Sequence, residues 1–251
     1  MSNVSPEPVT RTHMNKIVVT GFVLIVLSVV AAMIAPLGSR IGYWDYTAAV
    51  MILEWAAYTG TASALICLIG TFVVRPRNSR LGFFLTLLGL AIIIPTLLYL
   101  MYWKDAEENA PPIQDITTNT ENPPEFWAAP NARVYGGAAV ATYQKEAYPY
   151  IQPLLLPVPP DKAFDYAIEV VRQKGWDLLD ANRKDMHIEA TESTFWFGFS
   201  DDVAINITAT DSGGSRVDMR STSRFGSGGD GGTNARRIRS FFATLKSKAD
   251  K

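Results

Sequence analysis

Two imidazoles, His13 and His187, and a single cysteine, Cys67, stand in the 251 residues, and that inventory decides most of the chemistry open to the chain. A Ser or Cys nucleophile needs a base within reach. His13 falls in a short N-terminal tail, so His187 is the sole imidazole of the C-terminal half. It alternates with Met186 and Ile188, which reads as an ordinary strand residue on a polar sheet face. His187-Ile188-Glu189 has the spacing of the H-x-E of zinc deaminases, but their Pro-Cys-x-x-Cys is absent. One cysteine excludes internal disulfides and cysteine-based metal knuckles. The loop Gly226-Ser227-Gly228-Gly229-Asp230-Gly231-Gly232 lacks the Gly-Lys-Ser/Thr of a phosphate-binding loop. Asp201 and Asp202 with Glu189 offer oxygen ligands for a hard cation, yet a carboxylate pair at the start of a strand reads first as a solvated edge. No metal and no cofactor is expected. The sequon Asn206-Ile207-Thr208 falls inside a strand and carries little weight.

The more specific grouping is Ser223-Arg224-x-Gly226, Asp230 and Asn234-x-x-Arg237. A Gly-rich turn running into a helix N-terminus presents unpaired N–H groups beside two guanidinium forks, a place for a carboxylate or phosphate headgroup. The competing and preferred reading pairs Arg224 and Arg237 internally with Asp218, Asp230 or Asp115, holding the preceding chain onto the sheet. With Asp115 and Thr117, which sit in the predicted turn Asp115-Ile116-Thr117-Thr118, the candidate ligand-binding residues are Asp115, Thr117, Arg224, Asp230, Asn234 and Arg237. Phe195-Trp196-Phe197-Gly198-Phe199 reads as the apolar core of a hairpin; the alternatives are the lining of a lipid pocket or a loop that dips into a membrane.

These residues belong to a chain of two unlike halves. Overall it is 48% hydrophobic and 19% charged, with a mean hydropathy of +0.08. Residues 1 to 104 carry seven Lys/Arg against Glu7, Asp45 and Glu54, whereas residues 105 to 251 carry sixteen against twenty-one acids. Such sorting excludes a single soluble globule. An acidic C-terminal half without a basic run argues against nucleic acid as a partner.

Three apolar runs, about 17–37, 46–74 and 81–103, are each long enough to cross a bilayer as a helix, which takes about 20 residues. A cleavable signal peptide is the rival for the first, but that run is long for one and no clean cleavage site follows. Arg11 and Lys16 before the first run, and Arg75, Arg77 and Arg80 between the second and third, direct those ends to the cytoplasm. The tail 1–16 is then cytoplasmic, 17–103 is the three-helix membrane region, and everything after Lys104 is extracytoplasmic. Tyr43, Trp44, Tyr46, Tyr99, Tyr102 and Trp103 form an aromatic belt at the outer interface. Glu54 is the intramembrane candidate: either a headgroup-level residue beside Trp55 and Tyr58, or a proton or ion site. Ala57, Gly60 and Ala64 let another helix approach closely, Pro95 predicts a kink, and Cys67 is an inert small hydrophobe.

Residues 104–160 read as a Pro-rich linker of irregular chain that lies across the outer domain. The domain itself, 161–251, has a regular pattern. Asp161 caps a helix whose Phe164, Ala167, Ile168 and Val171 share a face, and Gly175 ends it. Four strands follow, marked by Trp176 to Ala181 and by the alternation of Met186, Ile188 and Ala190, of Val203, Ile205 and Ile207, and of Val217 and Met219. A helix from about Asn234 places Ile238, Phe241, Phe242 and Leu245 on one face. The predicted fold is α+β: after the three membrane helices, a two-layer domain of helix, four mostly antiparallel strands and helix, both helices on one sheet face.

Several motifs in order carry a resemblance. Pro112-Ile113-Gln114-Asp115-Ile116-Thr117-Thr118, Tyr150-Ile151-Gln152-Pro153-Leu154, Gly175-Trp176, Ile188-Glu189-Ala190-Thr191, Phe195 to Phe199, Asp201-Asp202-Val203, Arg216 to Ser221, Ser223-Arg224-Phe225-Gly226, Asp230 and Asn234 to Ile238 resemble the family known as domain of unknown function 1499, over about 111–247. The resemblance implies a bacterial or plastid envelope-associated domain, often behind membrane helices, with no settled activity. The expectation is a multi-pass protein of the bacterial cytoplasmic (inner) membrane, N-terminus inside and C-terminal domain periplasmic. Its partners are the lipid bilayer and an envelope protein or lipid ligand, bound without catalysis at the outer membrane-facing surface. The alternatives are a carboxylate-dependent hydrolase of envelope lipid or glycan, and a small transport subunit using Glu54.

Overall fold

A computed structural model describes residues 9–73, 80–130, 134–224 and 229–250. Arg75, Arg77, Phe225 to Gly228 and the side chains of Arg11, His13 and Trp103 lie outside the described residues. The chain divides into two compact units, Met1–Lys104 and Asp105–Lys251.

The first unit holds α1 (Val9–Arg40), α2 (Tyr46–Val73) and most of α3 (Arg80–Asn109). Within them Val18–Arg40, Tyr46–Gly70 and Arg80–Ala106 are long and apolar enough to cross a membrane. The helix therefore starts inside the predicted tail, at Val9. Polar side chains of these helices bond their own helix backbone: Ser28 Oγ donates to Leu24 O at 2.9 Å and Ser63 Oγ to Thr59 O at 2.7 Å. Ile25, Cys67 and Ile93, one from each helix, form the centre of the bundle. Glycines leave room for neighbouring isoleucine tips. A Cβ on Gly60 would stand 2.8 Å from Ile93 Cδ1, and one on Gly89 2.9 Å from Ile25 Cδ1. Asp45 caps α2 by accepting the Ala48 N–H at 2.7 Å. Pro95 sits within the continuous α3.

The second unit is one six-stranded antiparallel sheet with helices. In chain order it comprises β1 (Asp115–Thr117), α4 (Gly137–Ala147), β2 (Leu154–Leu156), α5 (Pro160–Gln173), β3 (Asp177–Asn182), β4 (His187–Ser193), β5 (Ser200–Ala209), β6 (Ser215–Ser223) and α6 (Thr233–Ala249). The sheet order is β1-β6-β5-β4-β3, and β2 pairs with the other half of the same edge of β6. Odd-numbered positions of β5 and β6 (Val203, Ile205, Ile207, Val217, Met219) and even ones of β4 (Ile188, Ala190) face α5 and α6, meeting Phe164, Ala167, Val171, Ile238, Phe241 and Leu245 in the core.

Residues 105–160 lie across the domain as expected but are not irregular throughout. They supply two edge strands and a helix, and the expected turn at Asp115 to Thr118 is strand β1, paired Asp115 with Thr222 and Thr117 with Arg220. Strands of three residues show no alternation to read, and their order comes from β6. Gln144 of α4 covers the exposed edge of β1: its Oε1 accepts the Thr117 N–H at 2.9 Å and its Nε2 donates to Thr117 O at 2.7 Å. Asp161 does not cap α5. Pro160 takes the first helical position, where its missing N–H costs nothing, and Asp161 in the first turn pairs with Arg183. Gly175, at φ +70°, ends α5 as expected, with Trp176 N donating to Val171 O and Gly175 N to Arg172 O.

Candidate functional site

The sheet face away from α5 and α6 carries His187, Glu189 and Thr191 of β4, Asp202, Ala204 and Asn206 of β5, and Asp218, Arg220 and Thr222 of β6. A row of such residues is expected to meet water. Instead the segment after β1 crosses it as a strap, and His187 and Glu189 are fully buried. Trp127 stacks on the His187 ring with centroids 3.9 Å apart. The N–H groups of Trp127 and Ala128 donate to Glu189 Oε1 and that of Ala129 to Oε2, the last two at 2.9 Å. His187 Nε2 lies 3.0 Å from the same carboxylate, and Nδ1 lies 2.6 Å from Asn206 Oδ1.

Both ring nitrogens thus face oxygen acceptors, an arrangement suited to imidazolium. Burial works to lower the His187 pKa, but the bonds to Glu189 and Asn206 and the charges of Glu189 and Asp180 outweigh it and raise the pKa above 6.5. For Glu189, burial acts upward and is overcome by His187 and the three strap N–H groups, which hold the carboxyl below its usual 4.5.

Beside this pair Arg220, almost fully buried, grips Asp115 through Nε (2.9 Å) and Nη2 (2.7 Å) and donates to Pro124 O, with the Phe126 ring 4.9 Å from its guanidinium carbon. Tyr135 stands over the same guanidinium; burial and the Asp115 charge push its phenol up to about 12. The hydroxyls of Tyr135 and Thr222 are buried with no hydrogen-bond partner among the described residues.

The candidates named from the sequence are divided between two faces. On the strap face Arg224 donates from Nε and Nη2 to both oxygens of Asp202, and from Nη2 to Thr191 Oγ1. On the helix face Arg237 binds Asp201, Glu192, Ser221 and Asn234. Asn234, fully buried, also donates to Gln114 O and Ser223 Oγ. The expected partners Asp218, Asp230 and Asp115 are not those of Arg224 and Arg237. They bind Arg216, the α6 backbone and Arg220, because strand parity brings Asp202 beneath Arg224 and Asp201 against α6. The Asp230 carboxylate accepts the N–H groups of Gly232 (2.8 Å) and Asn234 (2.6 Å), where an anion at this helix end would sit. Burial pushes the Asp201 carboxyl upward, and Arg237 only partly offsets it. The described residues hold no cluster of three metal-ligating side chains.

Thr117 is buried at the sheet edge, its hydroxyl at 3.3 Å from Asn119 O and N. Glu54 is exposed on the surface of α2, next to the edge-on pair Trp55 and Tyr58. An open polar cleft of ≈ 280 Å³ lies between α4 and the Thr118–Glu121 turn, lined among others by Glu121, Lys145, Tyr148, Gln152 and Arg216. Sequence reasoning missed Arg220, Trp127, Tyr135 and Gln144. The available signal was Arg220 itself, a charge in the middle of a strand between Met219 and Ser221, which demands a buried partner.

The aromatic hairpin also departs from expectation. It is not core: Phe195 is 70% exposed and Trp196 37%, since the sheet ends at Ser193 and Ser200 and leaves Thr194 to Phe199 beyond the last paired row.

The family model described as "Protein of unknown function (DUF1499)" matches residues 115–245, from the first strand through most of α6. No curated protein matches the chain.

Proposed function

The chain belongs to the DUF1499 family of proteins of unknown function, and from that premise we propose a membrane-anchored, non-enzymatic module of the bacterial cell envelope. Its three spans hold it in the cytoplasmic membrane with the N-terminus inside. Its α+β domain lies in the periplasm and recognises a partner protein or an amphiphile near the membrane surface. The Arg/Lys asymmetry of the short loops supports that direction. The observation that carries the binding reading is the state of the acids and bases: Asp115, Glu189, Asp201 and Asp202 are each engaged by an internal cation or by the strap. A general acid or base must reach a substrate proton, whereas a rigid binding module needs its frame locked. The open cleft beside α4 offers Lys145, Gln152 and Arg216 to polar groups of a ligand.

The test is to purify the full chain in mild detergent and identify by mass spectrometry what stays bound. A lipid or protein retained at fixed stoichiometry, and lost in Lys145→Glu, supports the proposal. Release of a shortened lipid or glycan from envelope extracts, abolished by Asp201→Asn, would replace it with a hydrolase.

A further inference from the structure

The β4–β5 hairpin tip has a composition and a position that point the same way. Thr194 to Phe199 contains four aromatic rings and no charge. Phe195 and Trp196 meet edge to face at 5.2 Å, Phe197 and Phe199 stack at 5.2 Å, and Gly198 at φ +68° allows the tight turn that groups them. Phe195 and Trp196 are exposed and Phe197 and Phe199 half-buried; uncharged aromatic surface left in water costs free energy, and Trp and Phe are among the residues that interfacial segments bury at the headgroup boundary of a bilayer.

Strand register decides where this tip stands. β4 and β5 close at Ser193 and Ser200, β5 pairs Asp202 with Thr222, and Thr222 pairs with Asp115, the first residue of β1. The chain entering the domain therefore arrives at the hairpin end of the sheet, where Gln114 O accepts the Ser223 N–H and Pro111 O abuts Gly229. Between Ala106, the end of the third candidate span, and Pro111 the chain reaches at most about 18 Å at roughly 3.5 Å per residue. The end of the sheet that carries the aromatic tip is thus also the end at which the short tether from the third candidate span enters. The charge at its base is also suited: the nearest carboxylates, Glu192 and Asp201, are both bound by Arg237 and do not present bare anions to lipid headgroups.

We infer that the Phe195–Phe199 tip inserts into the interface of the same bilayer that holds the three spans, docking the domain on the membrane by its tethered end. This narrows the amphiphile of the proposed function to the bilayer itself and rests on the reading of a membrane-anchored module.

The experiment uses the full chain with Cys67→Ala, reconstituted in phosphatidylcholine vesicles. An environment-sensitive fluorophore is attached at Phe195→Cys or, as control, at Asp211→Cys in the exposed turn at the far end of the ten-residue β5, about 30 Å away along the strands. The expected result is blue-shifted emission at position 195 and severalfold stronger quenching there than at 211 by lipid spin-labelled near the headgroup. Adding Trp196→Asp should abolish the difference. Equal emission and quenching at the two sites, or a difference that survives Trp196→Asp, overturns the inference. So does a blue shift that disappears as the protein is diluted in lipid, which would identify a second copy of the chain as the occupant. Because the vesicle reading measures depth whichever side the domain faces, its failure is distinct from a failed orientation or partner assignment.

Discussion

At the scale of single residues the titration of His187 and Glu189 has a definite sign. His187 has a folded pKa above its ordinary 6.5, so its stabilising contribution is complete below about pH 6.5 and is lost as pH rises through the folded value. Glu189 has a folded pKa below 4.5, so its contribution is complete above about 4.5 and is lost as pH falls through the folded value. The pair therefore contributes most between those limits. Thermal unfolding of the full chain in detergent should show stability declining on the alkaline side, and His187→Gln should flatten that decline; an unchanged slope would remove His187 as its cause. Arg224 gives a second residue-scale expectation. Arg224→Ala leaves Asp202 buried with only Thr191 beside it, and breaking such a pair costs roughly 3 to 5 kcal/mol. Asp230→Asn keeps one of the two acceptor oxygens at the start of α6 and gives up the other, which should cost about 1 kcal/mol. A melting temperature undiminished in Arg224→Ala, with cellular function lost, would make this corner an anion site instead of a frame.

Among elements, the strap is held over the polar face of the sheet chiefly by side chains. The N–H groups of Trp127, Ala128 and Ala129 reach Glu189, while Phe126 fills the space over Arg220 and against Ala204. Phe126→Ala should cost about 3 kcal/mol, and Trp127→Ala less, because Trp127 covers His187 with one face and leaves 54% of its surface in water. Hydrogen exchange should show faster labelling at 126–129 in both variants with little change in β5; uniform acceleration across the sheet would mean that the strap and sheet open as one unit. The elements also differ in how well they can be read from sequence. α5 and α6 were legible because each repeats an apolar face, and β4 to β6 because their apolar residues alternate, whereas β3 was legible only from the apolar run after Gly175. β1, β2 and the strap were not, since three residues or a Pro-interrupted segment carry no period. Of the candidate site, the residues Arg224, Asp230, Asn234 and Arg237 could be named, but their partners could not.

For the whole molecule the proposal is one of orientation. A reporter fused after Lys251 should be active only outside the cytoplasm and one inserted near Arg77 only inside it, as loop charge requires. Cytoplasmic activity of the Lys251 fusion would overturn the periplasmic placement and every function built on it, while leaving the fold of the domain and the depth of its aromatic hairpin to their own measurements.

The linear order of residues by itself determined that the chain divides near Lys104, that three helices can span a bilayer, and that an antiparallel sheet packs two amphipathic helices. All of these follow from local period and composition, which a chain carries without knowing its contacts. Tertiary structure alone decided that the polar face of the sheet is buried, that Arg220 takes Asp115 from 105 positions away, that Arg224 and Arg237 fall on opposite faces, and that the aromatic hairpin is surface. Each depends on which distant segment covers a given face, and burial of a charge is a property of that cover and not of the residue.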